Sequence, residues 1–314
     1  MAEAELAVAA PRRVGRRVST PQVALAVVIV VWSIGPLVNR GMHARGTVAG
    51  FYRMWLAVPV ALAVARWRRT PVTWRNLRTS APAGALFVSS YIVNYEALHR
   101  TTVANASLIG ALQPVLVMLA AYPLFGERFG RVEIGWSIGA LGGIGVFVVS
   151  GHGHGGGHGA LAGDLLAAVG LVLWTAYFLE MKRCRTVVPV AAFLAGVFLT
   201  GALLITPYAL LTGAPVGSIQ GRDLALMTVM VLVPGMMGHG LMTWVQRHVE
   251  VGLAVMLTLA STVLTAVGAW VLFGQALTAA QVLGGALVLA CLAALLQHRN
   301  RVNRVGGDDP LVLS

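Results

Sequence analysis

Three ionisable side chains, Arg53, Glu96 and His239, stand in stretches of chain too apolar to solvate them. A charge in hydrocarbon costs a few kcal/mol or more unless it faces water or a partner, so chemistry is expected first at such residues. Counted inward at about 1.5 Å per residue, Arg53 lies roughly 9 Å and Glu96 roughly 5 Å below one surface, and His239 roughly 10 Å below the other. Arg53 and Glu96 could therefore meet as an anion-binding or charge-relay pair; alternatively Arg53 snorkels and Glu96 belongs to the interface. His239, between Gly238 and Gly240, carries a ring that titrates near neutral pH and suits proton coupling, and it would serve equally as a neutral tie between two helices. Gln113, beside Pro114, offers an amide to a bound molecule or to a neighbouring helix. Trp32, Tyr91, Trp174 and Tyr177 are candidate cavity aromatics, with packing as the alternative. Trp67 and Trp74, beside an arginine cluster, read as interfacial anchors.

The elements that must position these residues are membrane spans. The 314 residues are 57% hydrophobic and 11% charged, with a mean hydropathy of +0.78, where soluble domains carry about a quarter charged residues. Apolar runs long enough to cross about 30 Å of hydrocarbon fall near 21–38, 48–65, 81–98, 103–124, 132–150, 161–179, 190–211, 224–246, 251–273 and 278–297. They lack the alternation of barrel strands, so the expected fold is an all-α polytopic membrane protein of ten transmembrane helices. The net charge of +12 does not point to nucleic acid, because the basic residues sit in short gaps between spans. With the N-terminus inside, Arg12 to Arg17, Arg66 to Arg78, Arg128, Arg131, Lys182, Arg183, Arg185, Arg247 and Arg299 to Arg304 fall inside, and only Arg40, Arg45, Arg100 and Arg222 outside. That asymmetry predicts both termini in the cytoplasm, and the expected location is the plasma (inner) membrane.

The chain also repeats itself. Val103 to Glu127 aligns without a gap on Val251 to Gln275, and Trp32-Ser33 with Arg40 is echoed by Trp174-Thr175 with Lys182. Five spans per half force the second copy to enter from the opposite side, giving two inverted five-helix repeats, 21–150 and 161–297. Between them lies a Gly/His linker, 151–160, and the tails are 1–20 and 298–314. Gly135, Gly139 and Gly143, with Gly284 and Gly285, suit close helix packing within a monomer or a homodimer face. Pro36, Pro59, Pro114, Pro207 and Pro234 mark candidate kinks. Cys184, in an expected loop, and Cys291, in a span, are not expected to form a disulfide.

Val31-Trp32-Ser33, Arg53, Ala97-Leu98, Gln113-Pro114, Phe125-Gly126-Glu127, Gly163-Asp164-Leu165-Leu166, Leu173-Trp174, Gly238-His239 and Phe273-Gly274 with Gln281 together give a family likeness. The sequence resembles the EamA family of the drug/metabolite transporter superfamily over nearly its whole length. The resemblance implies ten helices around a central cavity and movement of small metabolites. It departs from the family's usual pattern at Gln275, where glutamate is common, and at Thr262, where proline is.

The expectation is a secondary active transporter, not an enzyme: a proton-coupled exporter of a small polar metabolite, an amino acid or related compound, working by alternating access. No Gly-rich phosphate loop with Lys-Ser/Thr appears, and no His-Glu-x-x-His motif or facing aspartate pair. The expected partners are lipid, the transported molecule and protons, with no cofactor, no resident metal and no nucleic acid. Two alternatives stand beside this. A divalent-metal exporter would use His152, His154 and His158 of the linker, and a scaffold would move nothing.

Overall fold

A computed structural model describes residues 20–44, 46–101, 106, 109–150, 160–274 and 276–306. The described residues are helical throughout, without strands, and eight helices are long and apolar enough to cross a membrane. The helices in chain order begin with α1 (Thr20–Arg40), α2 (Gly46–Trp67), α3 (Trp74–Leu98), α4 (Gln113–Phe125), α5 (Arg131–Ser150), α6 (Ala160–Cys184) and α7 (Val190–Leu211), of which α3 and the shorter α4 are not among those eight. After a short 3₁₀ turn, α8 (Gly221–Met230), a π-helical segment (Val231–Gly238) and α9 (His239–Val245) form one continuous rod. The chain ends with α10 (Val251–Leu257), α11 (Leu259–Phe273) and α12 (Ala279–Gly306).

Several boundaries move from the sequence expectation, each for a local reason. Helix α3 begins at Trp74 rather than near 81, because Thr73 caps it by accepting a hydrogen bond from the Asn76 amide, which satisfies one of the first-turn donors. Helix α6 continues past 179 to Cys184, so Lys182 and Cys184 belong to a helix and are buried rather than lying in a loop. Helix α12 runs through 298–306, carrying Arg299 with it. The stretch expected as a single span over 251–273 is broken at Thr258 into α10 and α11, and α4 starts at Gln113 with Pro114 in its first turn, where the missing amide costs nothing.

Positions 148 residues apart are built alike. Gly126 and Gly274 end α4 and α11 in left-handed backbone, with φ of 72° and 64°, a conformation that penalises any side chain. Glu133 accepts from the Gly130 amide at the start of α5, and Gln281 exchanges both hydrogen bonds of a capping box with Thr278 at the start of α12.

Packing follows small residues. Helix α5 lies on α12, where a Cβ on Gly143 would sit 2.9 Å from the Gly284 carbonyl oxygen and one on Gly139 would sit 2.8 Å from the Cys291 sulfur. Helix α3 packs on α6 and α7, α2 on α7, α4 on α6 and α10, and α1 on α11 and the 221–245 rod. Both cysteines are free and buried.

Candidate functional site

Hydrogen bonds define two ends of the bundle. At one, buried Asp223 accepts from the amides of His43 and Ala44, Tyr52 donates to the Val216 carbonyl, and Tyr208 donates to Glu96. Gly46, at φ 62°, lies so close to Tyr95 that a Cβ would fall inside the ring. These contacts gather the α1–α2 turn with the last turns of α3 and α7 and the start of α8.

From this end a cavity of about 830 Å³ runs inward between α1, α2, α3, α6 and α11. Its mouth carries Asn39, Met42 and Tyr95, its walls Leu37, Tyr91 and Thr265, and its depth Arg53, Phe87 and Trp174. Several of its polar groups are already engaged. Ser90 donates to the Phe87 carbonyl, Thr265 to the Ser33 and Ser261 carbonyls, and the Asn94 amide to the Ser90 carbonyl. Arg53 is different: its guanidinium carbon stands 5.7 Å from the centre of the Phe87 ring, and its Nε, shielded from solvent, has no hydrogen-bond partner.

Beneath the cavity lies an aromatic layer around His239. The His239 ring is 2% exposed, shares a 3.0 Å hydrogen bond through Nδ1 with the Tyr177 hydroxyl, and stands 5.2 Å from Phe87 and 5.4 Å from Trp32. The Trp32 indole donates to the Pro234 carbonyl at 3.2 Å. That contact needs Gly238, since a Cβ there would be 2.3 Å from the indole nitrogen. The π segment Val231–Gly238, immediately before His239, sets the turn on which the ring is presented. Trp32 and Trp174, matched positions of the two repeats, both pack on Phe178 and His239.

The opposite end is tied together by charge on one side, while a second cavity of about 970 Å³ lies on the other between the start of α1, the end of α2, the start of α7 and the end of the 221–245 rod. Lys182, 3% exposed at its side chain, pairs with Glu127, whose two oxygens also accept from the amides of Val251 and Gly252 at 2.9 and 3.2 Å. Arg299 bridges Glu133 and Glu250. Burial pushes the Glu250 carboxyl above the ordinary carboxylate range, against the pull of Arg299. Phe125 faces the Lys182 ammonium at 4.9 Å and Phe129 the Arg299 guanidinium at 5.5 Å, contacts that retain a cation in a dry setting. The closure ties α4, α5, α6, α10 and α12 together.

Of the residues singled out in the sequence, Arg53, Tyr91 and Trp174 line the cavity, and Trp32, Tyr177 and His239 form the layer beneath it. Glu96 does not meet Arg53. It pairs instead with Arg100, in the turn just past the end of α3, at 3.9 Å, and accepts from Tyr208 on α7. Gln113 sits in the first turn of α4, off the cavity lining, with its amide nitrogen buried and unpartnered. The charged closure was not anticipated: Lys182 and Arg299 counted only toward orientation. A signal did exist, because a chain with 11 acidic residues places Glu127, Glu133 and Glu250 beside basic segments of the same side. His152, His154 and His158 lie outside the described residues. Among the described residues no three His, Cys, Asp or Glu side chains converge on a metal position.

A helical membrane bundle with a deep cavity entered from one end and buried ion pairs tying its helices together at the other is an architecture suited to moving small molecules. The EamA-like transporter family matches the chain twice, over residues 21–151 and 161–297; the chain belongs to this family, and so is a multi-pass membrane transporter of the drug/metabolite type. A solved structure titled "Crystal structure of protein" shares its fold, with a TM-score of 0.78 at 22% identity over 91% of this chain and 99% of that one. No curated protein matches the sequence.

Proposed function

We propose that the protein is a secondary active transporter with ten spans in two inverted repeats, 21–150 and 161–297, exporting a small polar metabolite by alternating access coupled to protons. The observation that carries this reading is the pairing of a deep cavity at one end with a buried ion-pair closure at the other. Rocking that broke the closure and narrowed the mouth would present the same floor, Arg53, Phe87 and Trp174, to the other side.

The neighbour pattern supports the inverted repeat. Exchanging the halves turns the α3–α6 contact into that of the 221–245 rod with α1, and the α4–α6 contact into α11–α1; α2–α7 and α5–α12 map onto themselves. The arginine asymmetry puts the closed end in the cytoplasm and both termini with it. His239 is the coupling candidate, since a titratable ring one aromatic layer below the cavity could exchange its proton when the closure opens. Its hydrogen bond to Tyr177 would hold the ring in place meanwhile.

Two measurements test the reading. Intracellular and medium metabolite pools, compared in cells with and without the protein, should show one compound displaced outward. Purified protein in liposomes should then move that compound in response to an imposed pH gradient. Pools and liposome flux both unchanged across a broad metabolite panel would leave the scaffold reading in place.

A further inference from the structure

We infer that the cavity selects an organic anion: a single carboxylate held at Arg53, attached to a ring or other apolar body that lies on Phe87 and Trp174. This rests on the transport reading for the cavity's being the cargo site, and it narrows the cargo to one chemical class. Among the described residues lining the cavity, Arg53 is the one charged side chain and no carboxylate accompanies it. The hydroxyls of Ser90 and Thr265 and the amide of Asn94 donate to backbone carbonyls, so the donors left in the depth of the site are the Trp174 indole N–H and the guanidinium, of which only the guanidinium is charged. A partly buried cation in hydrocarbon, with a shielded nitrogen left unpartnered, favours whatever brings it an anion. Guanidinium and carboxylate match as planar two-point partners. One cation balances one negative charge, which favours a monocarboxylate over a phosphate ester.

The rest of the wall describes the body of the molecule. Phe87 and Trp174 stand 5.8 Å apart between ring centres at a 37° tilt, an apolar surface beside the arginine. The mouth carries Asn39 and Tyr95 and the wall Tyr91, which tolerate polar substituents without demanding a second charge. A cargo ammonium group would find no carboxylate among the described lining residues, so a zwitterion is disfavoured relative to a plain acid.

The test uses the full-length protein in lipid nanodiscs and three probes of nearly the same shape: phenylacetate, phenylacetamide and phenethylammonium. Calorimetric titration should show the acid binding at least about tenfold more tightly than either analogue, the discrimination expected of a charge-assisted hydrogen bond. The preference should vanish in Arg53→Gln and persist in Arg53→Lys. Because the Arg53 Nε makes no hydrogen bond in the empty site and the guanidinium has only its contact with the Phe87 ring, Arg53→Gln should lower the unfolding temperature of the empty protein little, which separates a binding role from a structural one.

Equal binding of the amide or the ammonium compound, or an acid preference that survives Arg53→Gln, would overturn the inference. So would absence of binding by all three probes at about 10 mM, a weak-affinity ceiling for so simple a ligand. In liposomes the two readings part company. Flux of neutral or cationic compounds with acids refused would end the anion inference and leave transport standing, whereas no flux of any compound would end the transport reading itself.

Discussion

Replacing Glu127 by Gln should shift this protein toward the state in which its sealed end opens. The side chain holds Lys182 and two amides of α10 at once, and both members of the pair are almost fully buried, at 3% and 2% of side-chain exposure. Removing one partner of a buried pair generally costs about 3–5 kcal/mol, most of it from the charge left behind. Here the loss is softened, because a glutamine oxygen can still accept from an amide and Phe125 still faces the Lys182 ammonium. An estimate of about 2–3 kcal/mol follows, a shift of roughly 30- to 150-fold in the equilibrium between closed and open forms of this end. The cost falls only on the closed form, since opening lets water solvate Lys182. Gln246 provides a reporter: it is fully buried, with both amide atoms unpartnered, in the turn that follows α9. Gln246→Cys, in a Cys184→Ala/Cys291→Ala background, should react slowly with a water-soluble maleimide, and at least tens of times faster once Glu127→Gln is added. The double variant Glu127→Gln/Lys182→Met should recover most of the protection, because no bare charge remains. Unchanged labelling in Glu127→Gln, or labelling that rises further in the double variant, would refute the view that this pair holds the end shut.

Other outcomes follow from the same geometry. Glu133→Gln and Arg299→Met should show a coupling of about 1–3 kcal/mol in a double-mutant cycle on thermal stability, because they share one buried contact; strict additivity would mean the contact carries nothing. His239→Gln should retain cargo binding, since the ring lies below the cavity and does not line it, while its transport loses the dependence on a pH gradient; an unaltered pH profile would remove His239 from coupling. Gly143→Val should fail to assemble, because its Cβ alone would sit 2.9 Å from a backbone oxygen of α12, and accumulation at the wild-type level would contradict the packing. Export of a monocarboxylate by itself should respond to a 100 mV potential by roughly 50-fold in the final concentration ratio, and a one-for-one proton exchange by roughly 2,500-fold, since about 2.3 kcal/mol attaches to each charge moved. A reversal potential measured in liposomes distinguishes the two.

Much of the architecture was legible in the sequence because lipid imposes long apolar helices and tolerates little else. Gly126 and Gly274 announced their helix ends through a repeat that the backbone honours with the same left-handed turn. Arg53, Tyr91 and Trp174 could be nominated for a cavity because charged and aromatic residues are conspicuous in apolar runs. The partnership of Arg53 with Glu96 could not be decided that way. Depth along a helix says nothing about which face a side chain takes, and Arg100, four residues on in the turn that ends α3, satisfied Glu96 first. Lys182 was misread for a related reason: hydropathy ends a span where charges begin, yet α6 runs on and buries the charge against Glu127. Long-range ion pairs leave no periodic trace, and only the three-dimensional meeting of α4, α5, α6, α10 and α12 reveals them.

The two ends of the molecule share a backbone pattern and differ in charge, and the difference bears on how the empty protein rests. At the sealed end stand Glu127, Glu133, Glu250, Lys182 and Arg299; the corresponding positions in the other half are Gln275, Gln281, Thr102, Arg40 and Gly151. Not one carboxylate survives the exchange. The capping role at 133 and 281 is kept, by glutamate in one half and glutamine in the other, so the change removes charge while sparing the helix start. If the two bundles closed the mouth by the mirror motion, backbone packing would be comparable, but the ion pairs that hold the sealed end would have no counterpart. A symmetric scaffold would populate its two states about equally. Buried carboxylate–cation pairs at these matched positions in one end alone bias the empty protein toward the form with the cavity open, and a free-energy difference of a few kcal/mol suffices for near-complete bias. Cargo must then supply part of the work of opening the sealed end. An anion that neutralises Arg53 can do so only by binding more tightly in the intermediate, closed-mouth state than in the open one.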